Sequence, residues 1–506
     1  MKDSFFNTCA RRLLALVVLS LAAESWYVTA SVSTGGSSSN SHPTDEVLTL
    51  MRRSCRKALG PFVFVFLCLT FAGDVCAQAP FDKAEFAARR ARVFEQMADG
   101  VGVVFADERH VHAVKFRQSP DFFYLTGVEE PGALLLLVGP AKQAIIFAHK
   151  RSEQDVSVEG PGILDEERPA ARYGLPVMPI EAFLRMLHFM SKNSGARKLY
   201  VPLTAPDTLQ HGRGEQEAHE TELAANALFR YTPLVKQAVA RLHELHPHLA
   251  LADINPLLDK LRWVKTPYEI ERMRRSGRIG AEGVKAAMRG TKPGMFEYEI
   301  EAAARFIYTK MGARGDAFTP IVASGPNTIT WHYQRNDRQM QAGDVVLMDY
   351  GADFDYYTSD ITRTWPVSGT FTEEQLKMYR CILEARDALI AAMKPGVTLK
   401  QLQGVAEAVY TKHGYLPQFL ELNRYIGHPV GLSVHDVGGN DPNEPLQPGV
   451  VFNVEPLLEF RDRKIHMRLE DSVLVTPTGA ENLTAAVPAD IESIYAIIKQ
   501  KGIGVE

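Results

Sequence analysis

"KPGMFEYEIEAAARFIYTKMG", residues 292–312, returns as "KPGVTLKQLQGVAEAVYTKHG", residues 394–414, with Lys-Pro-Gly, Tyr-Thr-Lys and the final Gly identical at a fixed offset of 102. Farther on, "QAGDVVLMD" (341–349) matches "QPGVVFNVE" (447–455) at an offset of 106. The carboxy-terminal part of the chain therefore reads as two related halves, each a helix pair followed by strands. A solenoid needs three or more stacked copies, so two copies are expected to close on each other around a pseudo-two-fold axis.

Outward from the repeat, "LMDYGADFDYYTSDITRTWPV" (347–367) reads as a strand, a turn and a return strand. If Asp349 and Asp360 are direct cross-strand partners, the turn centres between Phe354 and Asp355, and their Cβ atoms lie about 4.5–5.5 Å apart on one face. Glu455 occupies the position of Asp349 in the second half, and Glu470 pairs with it about a centre between Asp462 and Arg463. Four carboxylates are thus expected to converge. Apolar neighbours such as Val345, Leu347, Val451 and Val473 imply partial burial, where uncompensated negative charge costs several kcal/mol per ion. Arg468, two residues before Glu470 on the same strand face, supplies part of the compensation. One guanidinium cannot balance four anions, whereas two divalent cations can. An oxygen-rich site with one imidazole suits Mn2+, with Zn2+ or Co2+ as alternatives. The imidazole candidates are His428 and His435 in "IGHPVGLSVHDVGG" and His332 in "TITWHYQRND". In an extended segment, His428 and His435 would stand more than about 20 Å apart, so at most one binds metal unless the chain turns back. Asp353, Asp355 and Asp462 are assigned to solvated turns.

The 506 residues are too many for one ordinary core. The formal charge of −4, with both signs interspersed, offers no basic stripe, and nucleic acid is not an expected partner. Cys9, Cys55, Cys68 and Cys76 precede residue 78 and leave Cys381 as the only thiol beyond it, so no intrachain disulfide is expected there. Cys381, inside the helical "LKMYRCILEARDALIAAM", reads as a small core residue. Residues 1–80 read as an export leader. The first apolar run, "CARRLLALVVLSLAAES", is followed by a second and better one from Met51, with positive "RRSCRKALG", apolar "PFVFVFLCLTFAG" and a cleavage region "VCAQAP" ending after Ala77. Met51 is taken as the true start and the mature protein as periplasmic or extracellular, with a retained membrane anchor as the alternative. Residues 81–250, where helical pattern alternates with "GVGVVFA", "ALLLLVG" and "AIIFAH", form a small α/β domain, and 251–506 form the repeat-containing domain.

The motifs "MDYG…SDITRTWPV", "GHPVGLSVHDVGG", "FNVEP" and "MRLEDSVLVTPTGAENLT" resemble those of the pita-bread metallopeptidases, specifically the Xaa-Pro aminopeptidase and prolidase group. "FRQSPDFFYLTGVEEPGALLLLVG" (116–139) is similar to the amino-terminal, creatinase-like domain of the aminopeptidase P branch. The resemblance implies an α/β pita-bread fold with two divalent metal ions: Asp349 and Glu455 as terminal ligands, Asp360 and Glu470 as bridges, and His428 completing the set. It further implies a metal-activated water as nucleophile and Glu455 as general base. His332 and His435 are implied to act in catalysis and to bind the scissile carbonyl or the proline side. Arg468 is implied to belong to the substrate site and to support a bridging carboxylate. In one place the chain departs from the family: Arg424 stands in "RYIGH" where a histidine near the substrate amine or proton path is common, and an Arg cannot shuttle protons at neutral pH.

The function this implies is removal of an N-terminal residue that precedes proline. An X-Pro bond is a tertiary amide without N–H, which general peptidases handle poorly. The alternatives are an Xaa-Pro dipeptidase, a non-catalytic peptide- or partner-binding protein on the same fold, or an enzyme acting on a small non-peptide amide. The resemblance also implies a homo-oligomer, dimer or tetramer.

Overall fold

The computed structural model describes residues 82–108, 115–228, 231–439 and 441–503, and the expected leader lies outside them. The described part of the chain forms one compact unit. Its amino-terminal portion holds a six-stranded sheet of β1 (Gly100–Phe105), β2 (Leu134–Val138), β3 (Gln143–Ala148), β4 (Val177–Pro179), β5 (Lys198–Val201) and β6 (Ala250–Asp253), in the order β4-β3-β2-β1-β5-β6. The expected strand runs are all here, and their continuous apolar composition is that of strands covered on both faces. Val101, Val103, Leu136 and Val138 pack under the helices Phe183–Asn193 and Leu234–Leu245. Val104, Leu135, Leu137 and Ile146 face Val93, Phe94, Phe122 and Phe123 of the helices Lys83–Gln96 and Pro120–Thr126. This second core continues into the repeat portion through Tyr356, Tyr357, Val430 and Leu432, and the Phe123 and Tyr356 rings stack with centroids 3.5 Å apart.

The repeated sequence becomes repeated structure. The helix Pro267–Met288 pairs with Glu297–Lys310, and Glu373–Ala392 pairs with Leu399–Lys412. The turns before the second helices match as well. Gly294 N–H donates to Met340 O and Gly396 N–H to Leu446 O, while Met340 and Leu446 donate back to Met295 and Val397. Both glycines have positive φ, +93° and +87°, a conformation that a Cβ would strain, which explains the repeated Lys-Pro-Gly.

In the first half, the strand Val345–Asp349 lies between Ile321–Ser324 and Thr362–Pro366. In the second, Val451–Val454 pairs with Asp471–Val475, and Leu457–Phe460 pairs with Ile465–Arg468. The halves close on each other as expected: Glu470 N–H donates to Thr362 O, the Thr364 hydroxyl to Arg468 O, and Asp360 N–H to the Ser472 hydroxyl. Behind this seam the fully buried Arg363 donates to the carbonyls of Thr362, Glu470, Val487 and Pro488 and to Asp471. Cys381 is buried in the core of the repeat portion, as expected of a packing residue. Among the described residues, no helix is long and apolar enough to cross a membrane.

The two hairpin registers differ in how they meet expectation. In the second half Val454 opposes Asp471 and Leu457 opposes Arg468, which places the centre between Asp462 and Arg463, where the sequence put it. In the first half Asp349 opposes Thr362 rather than Asp360, so the centre moves one residue, to between Asp355 and Tyr356. Both turn residues have positive φ, 51° and 73°, the signature of a tight primed hairpin turn formed here without glycine. The assignment of Asp353 and Asp355 to solvated positions is also corrected. Asp353 is buried against Arg117 at 3.0 Å, and Asp355 pairs with Arg272 at 2.6 Å. Both arginines come from segments distant in sequence, so an acidic turn that looks exposed in isolation is covered by the rest of the fold. Asp462 is exposed, as expected.

Candidate metal centre

Each carboxylate sits where a strand begins or ends at the seam between the halves. Asp349 closes its strand, Asp360 precedes the strand Thr362–Pro366, Glu455 follows Val451–Val454, and Glu470 precedes Asp471–Val475. All four are buried. His428 joins them: its Nε2 lies 3.4 Å from Asp360 Oδ2 and 3.4 Å from Glu470 Oε1. Its Nδ1 is 2.9 Å from Pro429 O, and because a carbonyl only accepts, Nδ1 carries a proton and Nε2 is the nitrogen turned to the carboxylates. The donor atoms of Asp360, His428 and Glu470 all lie within 4.8 Å of one another, close enough to share one cation.

The hydrogen bonds around the cluster leave it short of positive charge. Thr362 donates its hydroxyl to Glu470 Oε2 (2.7 Å) and Asn453 its amide to Glu470 Oε1 (3.1 Å). The Arg468 guanidinium bonds Asp349 Oδ2, Glu455 Oε1 and the Thr362 hydroxyl. Tyr425 donates to Glu455 Oε2 at 2.5 Å. Asp349 Oδ1 and Asp360 Oδ1 are buried without any partner. Burial, with the Asp360 and Glu470 charges, pushes Asp349 well above the usual carboxylate range, and burial with Glu470 raises Glu455 to about 7. Burial opposes charge on Asp360 too, but its contact with His428 holds its carboxyl low, and the same contact holds the His428 proton against desolvation. Protein groups alone therefore cannot keep the cluster ionised. Unpartnered buried oxygens beside an imidazole nitrogen whose proton a cation can displace fit divalent cations, and a mostly carboxylate donor set fits hard or borderline ones.

The cluster opens on a cavity of about 610 Å³, lined among others by Phe318, Ile321, Trp331, His332, Tyr425 and His435. His332 is exposed on the cavity wall, where partial desolvation followed by the Arg468 charge lowers its pKa. His428 and His435 are not far apart, as an extended segment would require: their ring centroids are 4.3 Å apart. The chain turns back through Gly431 N–H to Ser433 O and Asp436 N–H to Pro429 O. Gly431 is needed there, since a Cβ would stand 2.0 Å from Asp436 Oδ2. Asp436 itself is fixed by Arg262 (2.5 Å) and Lys265 (3.1 Å), within a buried ion network that includes Asp121, Asp207 and Arg213.

Two expectations for side chains near the site are corrected. Arg468 supports Asp349 and Glu455, the expected terminal ligands, rather than a bridging carboxylate, and its guanidinium is buried and already shared among three partners. Arg424 pairs with Glu407 at 2.9 Å, half-exposed and away from the cavity lining, so the chain's departure from the family pattern falls outside the cluster and Tyr425 faces it instead. Sequence reasoning missed Thr362, Asn453, Tyr425 and Glu215. Period-two spacing could have found the first two, since Thr362 lies two residues after Asp360 and Asn453 two before Glu455.

The fold and this cluster define a metal-dependent hydrolase. Residues 271–477 match metallopeptidase family M24, and residues 86–200 match the aminopeptidase P amino-terminal domain. The Xaa-Pro aminopeptidase of Haemophilus influenzae is 33% identical over 454 residues, covering 83% of this chain and 98% of that protein. The Xaa-Pro aminopeptidase of Escherichia coli K12 is 31% identical over 453 residues, covering 82% and 98%. Among solved structures, proline aminopeptidase P II from Yersinia pestis superposes with a TM-score of 0.69 at 28% identity, over 83% of this chain and 99% of that one. The chain belongs to metallopeptidase family M24, in its aminopeptidase P group.

Proposed function

We propose that this metal-dependent Xaa-Pro aminopeptidase holds two divalent ions, Mn2+ with Zn2+ or Co2+ as alternatives, on Asp349, Asp360, His428, Glu455 and Glu470. It removes an N-terminal residue that precedes proline. The observation that carries this reading is the meeting of Asp360, His428 Nε2 and Glu470, beside the unpartnered Asp349 and Asp360 oxygens, at the floor of a cavity. Such ions supply Lewis acidity and an activated water at neutral pH. Glu455, at the edge of the cavity, accepts the proton of the attacking water and returns it to the departing amine. Arg468 and Tyr425 fix that carboxylate from two sides while it does so. His332, its pKa lowered by partial desolvation and the Arg468 charge, and His435 face the cavity and engage the scissile carbonyl or the proline side. Trp331, Phe318 and Ile321 give the peptide an apolar wall.

Extent of likeness favours the aminopeptidase over the dipeptidase. The Xaa-Pro dipeptidase of Pyrococcus furiosus, though 34% identical, matches over 234 residues, 46% of this chain and 66% of that protein. Export through the leader and assembly as a dimer or tetramer belong to the same proposal. The test compares an Xaa-Pro dipeptide with a longer peptide sharing its first two residues, on metal-loaded protein. Release of the first residue from the longer peptide is expected; turnover of the dipeptide alone would make the protein a dipeptidase, and full metal occupancy without cleavage would make it a binding protein.

A further inference from the structure

A segment from the amino-terminal portion crosses the cavity and grips His435. Leu209 O accepts from Val434 N–H at 2.8 Å. Gly212 lies against His435 O so closely that a Cβ there would stand 2.9 Å from it. Both carboxylate oxygens of Glu215 are 2.8 Å from His435 Nδ1, and Glu215 Oε2 also accepts from Gly212 N–H at 2.9 Å. Between these contacts Arg213 is held by Asp121, Asp207 and Asp259, and the Ser433 hydroxyl bonds Asp207, so both sides of the crossing are tied to the ion network. Gln210, His211, Gly212, Arg213 and Glu215 line the cavity beside His332 and His435.

We propose that Glu215 is a positioning residue for His435, supplied in cis by a strap over residues 208–215 that forms the cavity wall on the histidine side. A carboxylate only accepts, so the Glu215 contact places a proton on Nδ1 and leaves Nε2 as the nitrogen that meets substrate. Without it an imidazole chooses its tautomer and rotation freely, and a group that must meet a carbonyl in one geometry is lost part of the time. The strap holds the backbone at Val434 and His435, through Leu209 O and the close approach of Gly212, and holds the ring itself through the side chain of Glu215. This inference rests on the proposed peptidase function for its consequence, but the Glu215–His435 contact is a property of the protein alone.

The test uses the full chain, with Glu215→Ala, Glu215→Gln and, as a second route to the same displacement, Gly212→Val. Kinetics on an Xaa-Pro-Xaa tripeptide are combined with 15N NMR of labelled histidines, His435 being assigned by difference with His435→Gln, on metal-free protein. Glu215→Ala and Gly212→Val are expected to lower kcat/KM about 10- to 100-fold with metal content unchanged. Glu215→Gln, which keeps an acceptor, recovers part of the loss, and the Nδ1–H signal of His435 gives way to a tautomer mixture in Glu215→Ala. Kinetics within about twofold of wild type for Glu215→Ala overturn the proposal. If the wild type cleaves no such peptide, the functional reading fails, and the spectrum alone decides whether Glu215 positions His435: a retained Nδ1 tautomer in Glu215→Ala overturns it.

Discussion

Tyr425 donates its hydroxyl to Glu455 Oε2 at 2.5 Å, while its neighbour Arg424 turns outward to Glu407. A hydrogen bond to a buried charged group is worth about 1.5–3 kcal/mol, and this one restrains the carboxylate proposed to move the proton. Tyr425→Phe is expected to lower kcat about 10-fold or more with the fold intact. Arg424→His, which changes only a partly exposed pair, leaves kcat and KM within about twofold. Steady-state kinetics on both variants decide the matter, and the opposite ranking would return the family position at 424 to the mechanism.

The metal-free cluster holds protons that a cation must displace. Burial and neighbouring charge raise Asp349, burial and Glu470 raise Glu455 to about 7, and His428 keeps its proton against burial through Asp360 and Glu470. For groups whose folded pKa is raised, stability is present at low pH and lost as pH rises through the folded value, so the metal-free protein should melt at lower temperature at about pH 8 than at about pH 6. Metal binding should release protons, more at about pH 6 than at about pH 8, and apparent affinity should climb across that interval. Calorimetry in buffers of different ionisation heat reads the release directly; its absence at the lower pH would count against these five ligands.

Arg363 serves the fold rather than the chemistry. It is wholly buried, and its donors satisfy four backbone carbonyls on both sides of the seam as well as Asp471, the residue after Glu470. Burial works against ionisation of Asp471, yet Arg363 and Arg386 hold its carboxyl down to about 2. Arg363→Met should therefore destabilise by about 3–5 kcal/mol, since it removes one of the two guanidiniums on a buried carboxylate and leaves several carbonyls without a donor. Denaturant unfolding of the metal-loaded protein reads this loss; a midpoint unmoved from wild type would mean the seam tolerates them unpaired.

Elements set by short-range chemistry were legible in the sequence, and elements set by distant partners were not. The helix pairs and their Lys-Pro-Gly turns follow local periodicity and glycine conformation, and they recur at the offset read from the letters. The second hairpin centre followed from the repeat, but the first slipped by one residue because Asp355 and Tyr356 make a positive-φ turn without the glycine that usually announces one. His435 was marked as a site residue, yet its partner Glu215 lies 220 positions earlier, in a segment whose own pattern carries no chemistry. Asp353 looked like a solvated turn because Arg117, which buries it, is 236 positions away. Arg424 drew attention as a departure from a family pattern, whereas which of two adjacent side chains points inward depends on backbone geometry around residues 423 and 424, both at positive φ.

His466 supplies an acid limb of instability independent of metal. Its ring is buried, Nδ1 is 2.9 Å from Thr328 O, and Nε2 has no partner. Burial, followed by the nearby Arg468 charge, lowers its pKa to about 3. The sign is opposite to that of the metal cluster. An unfolded histidine takes up a proton below its ordinary value of about 6.5, while the folded one stays neutral down to about 3, so the unfolded state binds more protons in that window and stability falls as pH falls. At about pH 5 this amounts to roughly 2 kcal/mol. His466→Asn keeps a donor for Thr328 O and removes the titration, so its stability relative to wild type should improve steadily from about pH 7 to about pH 4, whatever constant offset the lost ring adds. Parallel pH profiles for the two proteins, measured by denaturant unfolding, would show that His466 takes up its proton in the folded state.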